Sequence, residues 1–235
     1  MNIIIRVLRK IKRIIAFDNV DDIARKVSHQ KLTYLSHKAL LLLGNTVKKI
    51  EKNNIEGSII ETGCALGGSS ILIGKLKNKN RQFNVYDSFE MMPEPTENDG
   101  EDVHYRFDVI KKGVSKGISG NKYYGYEKDL YNKVKNSFIS FGVDLTNIQL
   151  IKGYYEDTLK INEQVAMAHI DCDWYDSVLV SLQRIEPYLV VGGVLIIDDY
   201  YCYSGCKKAV DDYFKDKKDD YNFIQEERLV IEKIK

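Results

Sequence analysis

Apolar residues recur along this chain at two different spacings, and the change of spacing predicts two regions. Up to about Asn53 the spacing is that of helices, and it is clearest between Lys38 and Glu51. From Gly57 onward, short apolar segments typical of strands alternate with helical stretches. We therefore predict an N-terminal helical extension over residues 1–53 and a second domain over residues 54–235.

The alternation after Gly57 predicts five strands separated by helices. The predicted strands are Ser58–Glu61, Phe83–Asp87, Ile148–Ile151, Val165–Asp171 and Gly193–Asp198. The predicted helices between them are Ser69–Lys77, Glu127–Phe141 and Ser177–Leu189. Such alternation is typical of βαβ units, so we expect an α/β fold with a mostly parallel sheet and helices on both of its faces.

Two further segments complete the predicted fold. Beyond Asp199, a helix near Lys207–Phe214 precedes strands near Tyr221–Gln225 and Arg228–Ile234, which we expect to form an antiparallel hairpin. Residues 89–124 show little periodicity and contain two prolines and four glycines. Because connections of this length in a compact domain are usually functional lids or disordered segments, we interpret residues 89–124 as a mobile lid over the site.

The composition narrows the class of partner. Hydrophobic residues make up 44% of the chain and charged residues 29%, which is typical of a soluble globular protein. The 35 Lys and Arg residues nearly balance the 34 Asp and Glu residues, so nucleic acid is not expected as the principal partner. The cysteines lack the spacing of a zinc site or a disulfide framework, and we expect free thiols in a reducing cytoplasm.

The first sixteen residues have an amphipathic pattern. Plotted as a helix, Met1–Ala16 places apolar residues on one face and five basic residues on the other. The two kinds are interleaved, unlike the separate regions of a secretory signal. Two interpretations stay open, a helix lying in a membrane surface and a helix packed on its own domain or on a second subunit, which we favour. We expect a cytoplasmic protein, with peripheral contact at the inner membrane surface as the alternative, and a homodimer as the default oligomer.

Candidate ligand-binding residues are those that follow each predicted strand, because open α/β sheets bind ligands beyond the carboxyl ends of their strands. Glu61–Gly68 contains a glycine loop, and a helix begins near Ser69, so the backbone can approach a ligand closely. By itself this loop is equally consistent with an ordinary tight turn. Asp87 closes the second strand, where an acid suits a ribose 2′,3′-diol. Loop and acid together predict a nucleoside cofactor, and the lack of a Walker-type lysine motif argues against a triphosphate.

The third strand end adds an exposed glycine and aromatic rings. Gly153 precedes Tyr154 and Tyr155, whose rings are candidates to border an adenine. The complete set of candidate cofactor-binding residues is Glu61, Thr62, Gly63, Gly67, Gly68, Ser69, Asp87, Ser88, Gly153, Tyr154 and Asp171.

Acidic residues follow the fourth and fifth strands. Asp171 and Asp173 come after one strand, and Asp198 and Asp199 come after its neighbour. Four carboxylates crowded together repel one another and raise each other's pKa unless a cation is present. All-oxygen ligation indicates magnesium, or manganese or calcium, rather than zinc. The alternative interpretation is helix capping combined with ordinary surface acids.

Six motifs occur in order between about Gly57 and Phe214: Glu-Thr-Gly-x-x-x-Gly-Gly, Asp-Ser-Phe-Glu, Lys-Gly-Tyr-Tyr-x-Asp-Thr-Leu, His-Ile-Asp-x-Asp-x-Tyr, Gly-Gly and Asp-Asp-Tyr. In these motifs the chain resembles the macrocin and novobiocin-type sugar O-methyltransferases. The resemblance implies the Rossmann-like class I methyltransferase fold, with S-adenosylmethionine and magnesium used to methylate hydroxyls, commonly on deoxysugars.

The resemblance also assigns roles to individual residues. It implies that Asp171, Asp198 and Asp199 are metal ligands and that Asp173 is the general base. It further implies that Glu61, Gly63 and Asp87 lie on the cofactor. The chain departs from the family at Leu66, where the family often has Arg, and at Met91-Met92-Pro93, where it usually has Gly-Leu-Pro. These positions line the approach to the site, so they bear on the identity of the acceptor.

We therefore expect an O-methyltransferase that acts on a hydroxyl of a sugar or glycan. A sugar hydroxyl is a very weak acid and a carboxylate of pKa about 3.9 is a poor base for it, so a divalent ion removes the mismatch. Two alternatives stay open: a metal-dependent enzyme for catechol-type phenols, and a non-catalytic nucleotide-sugar-binding protein of the same fold. We interpret His169 as a core residue, and His104, Met91, Met92 and Tyr105 as weaker candidates for contact with the substrate.

Overall fold

Two helices precede the sheet in the described part of the chain. The structure is a computed structural model that describes residues 19–235, so the amphipathic segment predicted over residues 1–16 lies outside the described residues. Helix α1 spans Val20–His29 and α2 spans His37–Lys52. A polar side chain caps each one, since Asn19 accepts from the backbone of Asp21 and Ser36 from that of Ala39. Among the described residues, no helix combines the length and the apolarity that crossing a bilayer requires.

Seven strands form a single sheet within residues 19–235. The strands are β1 (Ser58–Thr62), β2 (Phe83–Asp87), β3 (Ile148–Lys152), β4 (Val165–Ile170), β5 (Leu189–Ile197), β6 (Tyr221–Gln225) and β7 (Leu229–Lys233). Their order across the sheet is β3-β2-β1-β4-β5-β7-β6. The five strands from β3 to β5 are parallel, whereas β7 runs antiparallel to both β5 and β6. This confirms the predicted parallel sheet with a C-terminal antiparallel hairpin.

Helices connect the strands and cover both faces of the sheet. They are α3 (Gly68–Leu76), α4 (Glu101–Lys111), α5 (Leu130–Ser140), the single turn α6 (Tyr155–Thr158), α7 (Tyr175–Ile185) and α8 (Ser204–Phe214). Neighbouring residues of one strand point to opposite faces, so Ile59 packs in the core beneath α1, α2, α3 and α5, while Ile60 packs beneath α7 and α8. The helices therefore lie in two layers, as in other doubly wound sheets.

The lid contains a helix that the sequence pattern did not predict. Within residues 89–124, α4 forms where charged residues obscure a short apolar stripe of Val103, Phe107 and Ile110, all three of which are buried. Val103 and Phe107 pack against Trp174, which lies just after β4. The lid is thus anchored on the body of the domain by a small apolar core of its own.

The order of the strands places a crevice near the centre of the sheet. The chain winds from β1 outward through β2 to β3, then returns to place β4 on the other side of β1. At such a switch point the connections after β1 and β4 leave in opposite directions and open a crevice at the carboxyl ends.

Candidate active site

A cavity of about 340 Å³ opens at the carboxyl ends of the parallel strands. It is lined by the turns after β1, β2, β3, β4 and β5, by residues of the lid, and by Thr33–Leu35 between α1 and α2. This is the edge at which open α/β sheets bind ligands, and the volume suits a small organic molecule.

Three carboxylates from two neighbouring strands converge in this cavity. Asp171 follows β4, whereas Asp198 and Asp199 follow β5, and the two strands are hydrogen-bonded neighbours with parallel ends. One carboxylate oxygen of each residue lies within 4.8 Å of the others. Oδ2 of Asp199 is buried and has no hydrogen-bond partner among residues 19–235. Three converging carboxylates, one of which has a buried oxygen without a partner, fit a hard divalent ion such as Mg²⁺.

Burial and mutual repulsion disfavour the charged forms of two of these carboxylates. Burial, followed by the charges of Asp198 and Asp199, raises the pKa of Asp171 well above its ordinary value. Burial and the charges of Asp173 and Asp198 raise the pKa of Asp199 in the same direction. A divalent cation among the carboxylates removes this repulsion, which is a second reason why the cluster fits a metal ion.

Asp198 differs from the other two ligand candidates because cations lie beside it. Burial raises the pKa of Asp198, but His169 and Arg228 outweigh burial and hold this pKa below its ordinary value. Nε of Arg228 donates to Oδ1 of Asp198 at 2.6 Å. Nε2 of His169 lies 3.7 Å from the same oxygen, which is an ion-pair distance rather than a hydrogen-bond distance. Asp198 is therefore the carboxylate of the cluster that is already ionised and oriented by the protein.

His169 lies between Asp198, a candidate metal ligand, and Glu61 on the neighbouring strand β1. Nδ1 of His169 lies 2.9 Å from Oε1 of Glu61, and the other oxygen of Glu61 accepts a hydrogen bond from Ser70. Burial lowers the pKa of His169, but the two flanking carboxylates outweigh burial and raise it to about 10. His169 is thus a buried imidazole held between Glu61 and Asp198, consistent with its interpretation as a core residue. The carboxylate of Glu61, predicted from sequence to contact the cofactor, has His169 and Ser70 as its partners in the structure.

Asp173, the predicted general base, lines the same cavity. Its φ of 59° lies in the left-handed region, which Asp tolerates better than most residues other than glycine. Burial and the charge of Asp198 raise the pKa of Asp173 to about 7. A pKa near neutrality suits a group that accepts a proton at physiological pH.

The glycine loop after β1 packs tightly against the aspartate turn. Gly63 has a φ of 86°, and a Cβ at this position would overlap the backbone oxygen of Asp171. In the same loop, the backbone N–H groups of Cys64 and Ala65 donate to Oδ2 of Asp87, at 2.7 and 3.3 Å. Oδ1 of Asp87 accepts from the backbone of Phe89 at 2.6 Å. Asp87 therefore holds the glycine loop in place through hydrogen bonds to its backbone, and it also lines the cavity.

The structure places most, but not all, of the predicted site residues at the cavity. Those that line it are Gly63, Ser69, Asp87, Ser88, Gly153, Tyr154, Asp171, Asp173, Asp198 and Asp199. Those that do not are Glu61, Thr62, Gly67 and Gly68. Gly68 packs closely against the backbone of Leu32: its N–H donates to the backbone oxygen of Leu32 at 2.9 Å, and a Cβ would crowd that oxygen. The cofactor roles of these residues stay predictions.

Several lining residues were not found by sequence reasoning. Arg106 of α4 reaches the cavity, donates to Ser115 at 2.9 Å and lies 5.4 Å from the ring centroid of Tyr123. Arg228, in the turn between β6 and β7, also lines the cavity, although it lies near the C-terminal end of the sequence. A single arginine in a charged helix or turn has no periodic pattern that would single it out.

The weaker lid candidates divide in the structure. Met92 lines the cavity, whereas Met91 and Tyr105 are exposed and are not among the lining residues. His104 is exposed as well, and its Nε2 lies 3.1 Å from the backbone oxygen of Thr96.

Comparison with known proteins identifies the family. Residues 12–226 match the family described as Macrocin-O-methyltransferase (TylF). The chain is 28% identical over 187 residues to demethyldecarbamoylnovobiocin O-methyltransferase of Streptomyces niveus, covering 77% of this chain and 67% of that protein. It is 29% identical, with the same coverage, to 8-demethyl-8-(2,3-dimethoxy-alpha-L-rhamnosyl)-tetracenomycin-C 4'-O-methyltransferase of Streptomyces olivaceus.

The fold agrees with this match. The solved structure of the O-methyltransferase NovP superposes with a TM-score of 0.72 at 24% identity, covering 87% of this chain and 83% of that one. The class I methyltransferase fold supports the use of S-adenosylmethionine as methyl donor. With a family match over most of its length and a matching fold, the chain belongs to the macrocin-O-methyltransferase family and is an O-methyltransferase.

Proposed function

We propose that this enzyme transfers a methyl group from S-adenosylmethionine to a hydroxyl of a sugar or glycan, and that a divalent ion takes part. The observation on which this depends most is the convergence of three carboxylates from adjacent strands inside the cavity. A binding protein has no need of such mutually repelling acids, whereas a metal-dependent transferase does.

Asp171, Asp198 and Asp199 are the residues that would hold the ion. His169 and Arg228 hold the pKa of Asp198 below its ordinary value, and the unpartnered Oδ2 of Asp199 would supply a second ligand atom. When bound, a divalent ion supplies positive charge that stabilises negative charge developing on an acceptor oxygen.

Asp173 is the group that we propose as acceptor of the hydroxyl proton. It lies two positions beyond Asp171, and its carboxylate borders the same cavity. The proton would end on a carboxylate oxygen of Asp173. Since a sulfonium methyl is already a good electrophile, the remaining task of the protein is to align the hydroxyl with it.

The turns after β1, β2 and β3 are proposed to hold the nucleoside part of the methyl donor. Gly63 and Gly153 both have positive φ values and line the cavity with backbone atoms. Asp87 still has lone pairs beyond its three backbone contacts, and a carboxylate can accept about four hydrogen bonds, so contact with a ribose diol is compatible with its role in the loop.

The names of the relatives support a sugar acceptor. The Streptomyces olivaceus protein is named for the methylation of a tetracenomycin C that carries a dimethoxy-rhamnosyl group, and the Streptomyces niveus protein for the methylation of demethyldecarbamoylnovobiocin. The rival acceptor is a catechol-type phenol, which can engage a divalent ion through adjacent oxygens in the same manner.

The test is a panel of acceptors incubated with S-adenosylmethionine and Mg²⁺ and analysed by mass spectrometry. Free deoxysugars, glycosides, nucleotide sugars and catechols are compared side by side, with Asp216→Asn, an exposed acid outside the cavity, as the control variant. Methylation of at least one sugar and of no catechol is expected. Methylation of catechol alone would show that the acceptor is a phenol and not a sugar. Turnover that survives complete chelation of divalent ions would contradict the proposed role of the ion.

A further inference from the structure

The lid is fastened to two helices of the domain by a pair of aspartates. Oδ1 of Asp99 accepts from the backbone N–H of Tyr175 at 2.8 Å, while its Oδ2 accepts from Thr96 at 3.0 Å. Asp102, in the first turn of α4, accepts from the backbone N–H of Ser204 at 2.9 Å and also from the hydroxyl of Ser204. Tyr175 and Ser204 are the first residues of α7 and α8. The two acids therefore cap the N-termini of two different helices from a third segment.

These helices lack caps from their own sequence. The N-cap positions of α7 and α8 are Trp174 and Tyr203, and within the described chain neither side chain makes a capping hydrogen bond. The first N–H groups of a helix have no partner inside the helix, and an anionic acceptor there is favoured by both hydrogen bonding and the helix dipole. Asp99 and Asp102 supply the capping acceptors that the side chains of Trp174 and Tyr203 do not.

The capped helices begin directly after the two aspartate turns. Asp173 lies two positions before α7, and Asp199 lies five positions before α8. A shift in the first turn of either helix would therefore displace the carboxylates that we propose to surround the ion.

Two glycines allow the lid to approach this closely. A Cβ at Gly205 in α8 would overlap Oδ1 of Asp99, and a Cβ at Gly100 would overlap the hydroxyl of Ser204. The φ of Gly100 is −83°, a value open to any residue, and Gly205 lies within a helix. These glycines are therefore required by proximity rather than by backbone conformation.

An apolar contact lies beside the same junction. Trp174, the single tryptophan of the chain, packs against Val103 and Phe107 of α4. Its Nε1 donates to the backbone oxygen of Pro93 at 3.0 Å. The lid is thus held at the aspartate turns by caps, by close backbone packing and by a buried indole.

We propose that Asp99 and Asp102 are positioning residues of the methyl-transfer site, which hold the Asp171–Asp173 and Asp198–Asp199 turns in the arrangement that binds the divalent ion. This inference rests on the divalent ion of the proposed function. It assigns to the lid a part in forming the ion site, in addition to covering it. Neither acid lines the cavity, so both act through the helices that they cap.

The experiment measures Mg²⁺ affinity by calorimetry on the full chain after removal of divalent ions. Asp99→Ala and Asp102→Ala are each expected to weaken Mg²⁺ binding by about tenfold, the usual effect of removing a group that orients metal ligands. Their affinity for S-adenosylhomocysteine should stay within about twofold of the unaltered chain, because the glycine loop is not part of this junction. Hydrogen exchange of the α4 amides should become about tenfold faster when Asp99 or Asp102 is replaced by Ala, because the lid then loses one of its attachments to α7 or α8.

Four matched variants separate position from charge. Asp99→Asn and Asp102→Asn remove the charge but keep an oxygen acceptor, and should recover most of the Mg²⁺ affinity. Gly205→Ala keeps every acid but displaces the Asp99 carboxylate, and should weaken Mg²⁺ binding as Asp99→Ala does. Asp108→Ala removes an exposed acid from α4, the helix that contains Asp102, and should leave the Mg²⁺ affinity unchanged.

The outcomes are distinguishable. Equal Mg²⁺ affinity in the unaltered chain, both alanine variants and Gly205→Ala would overturn the positioning role and leave the ion in place. Asparagine variants as weak as the alanine variants would show that negative charge, not position, is what matters, and would also overturn it. Failure of the unaltered chain to bind Mg²⁺ would overturn the metal part of the proposed function, and the positioning role with it.

Discussion

Nε of Arg228 lies 2.6 Å from Oδ1 of Asp198, so a cation from the C-terminal hairpin rests against a proposed metal ligand. Both side chains are largely buried, and the strand before Asp198 is paired with the strand after Arg228, Val194–Ile197 of β5 lying opposite Leu229–Glu232 of β7. His169 and Arg228 together therefore hold the pKa of Asp198 below its ordinary value, and the arginine orients its carboxylate.

Loss of this arginine should destabilise the protein. Arg228→Gln is expected to lower the free energy of unfolding by about 2 kcal/mol, because it leaves a buried carboxylate without its charged donor. Urea unfolding followed by circular dichroism measures this. Arg184→Gln, at an exposed position on α7, is the control and should change little. An Arg228→Gln protein as stable as the control would contradict the assigned role of the pair.

Removal of one ligand carboxylate should stabilise the protein when no divalent ion is present. The charge of Asp199 is disfavoured by burial and by Asp173 and Asp198, which raise its pKa. A neutral amide removes this repulsion, so in a chelator Asp199→Asn should gain about 1 kcal/mol, seen as a rise in Tm of about 2–4 °C. Addition of Mg²⁺ should raise the Tm of the unaltered chain but not that of the variant. A chelated variant less stable than the unaltered chain would show that these carboxylates do not repel one another.

The proposed base can be tested separately from ligand binding. Asp173→Asn is expected to lower kcat by about 100- to 10,000-fold, the usual range for loss of a general base. S-adenosylhomocysteine binding should persist, since Asp173 belongs to neither the glycine loop nor the turn of Asp87. Single-turnover assays together with calorimetry separate the two effects. Near-normal turnover with intact cofactor binding would mean that the hydroxyl proton leaves by another route.

Gly63 should tolerate substitution far less well than a glycine in open space. Gly63→Ala faces both a positive φ of 86° and an overlap with the backbone oxygen of Asp171. Gly113 has a φ of 73° and no atom within 4 Å of a Cβ, so Gly113→Ala isolates the cost of the backbone conformation, about 1 kcal/mol. Gly63→Ala should cost about 3 kcal/mol or more, because neither backbone can move aside easily. Equal losses in urea unfolding would mean that the contact with Asp171 is not tight.

The contacts of the buried Glu186 lead us to expect that the folded protein loses stability in acid. It accepts hydrogen bonds from Lys217 and Tyr213, each at 2.8 Å, and from Tyr221. Burial raises the pKa of Glu186, but Lys217 and the two tyrosines outweigh burial and hold this pKa below its ordinary value. Because the folded pKa is the lower one, the stabilisation is complete above the unfolded pKa of about 4.3 and is lost as pH falls through the folded value.

Comparison of the unaltered chain with Glu186→Gln tests this directly. The difference in unfolding free energy between the two should be large at neutral pH and shrink as the solution is acidified below the unfolded pKa. Glu97→Gln, at an exposed position of the lid, serves as the control. A difference that stays constant from neutral pH into the acid range would show that Glu186 is not preferentially ionised in the folded protein.

The strand ends and the acids beyond them could be predicted from sequence because they depend on local pattern. The apolar runs that become β4 and β5 stop at Ile170 and Ile197, and the next residues are Asp171 and Asp198. A parallel sheet places all such ends at one edge, so the meeting of these acids follows from periodicity and the rules of βαβ connection. Asp87 at the end of β2 was located at the cavity by the same reasoning.

The lid and the partners of the acids could not be predicted in this way. Helix α4 buries only a narrow apolar stripe against Trp174, too little to stand out among its charged residues. Glu61 is the penultimate residue of β1, and its side chain is fully buried against His169, the residue opposite it on β4. An acid at a strand end is visible in sequence, but the direction of its side chain depends on its neighbour across the sheet.

The amino-acid order alone was sufficient to predict the sheet, its hairpin and the strand ends at which the candidate site residues lie, since these follow from the spacing of apolar residues and from the rules that connect neighbouring strands. Only the tertiary structure decided which groups lie beside the candidate site residues: Arg228 beside Asp198, His169 between two acids, and Asp99 and Asp102 at the N-termini of two other helices. Each of these contacts joins segments far apart in sequence. Their formation depends on packing distance and on the burial of charge, and neither has a periodic trace along the chain.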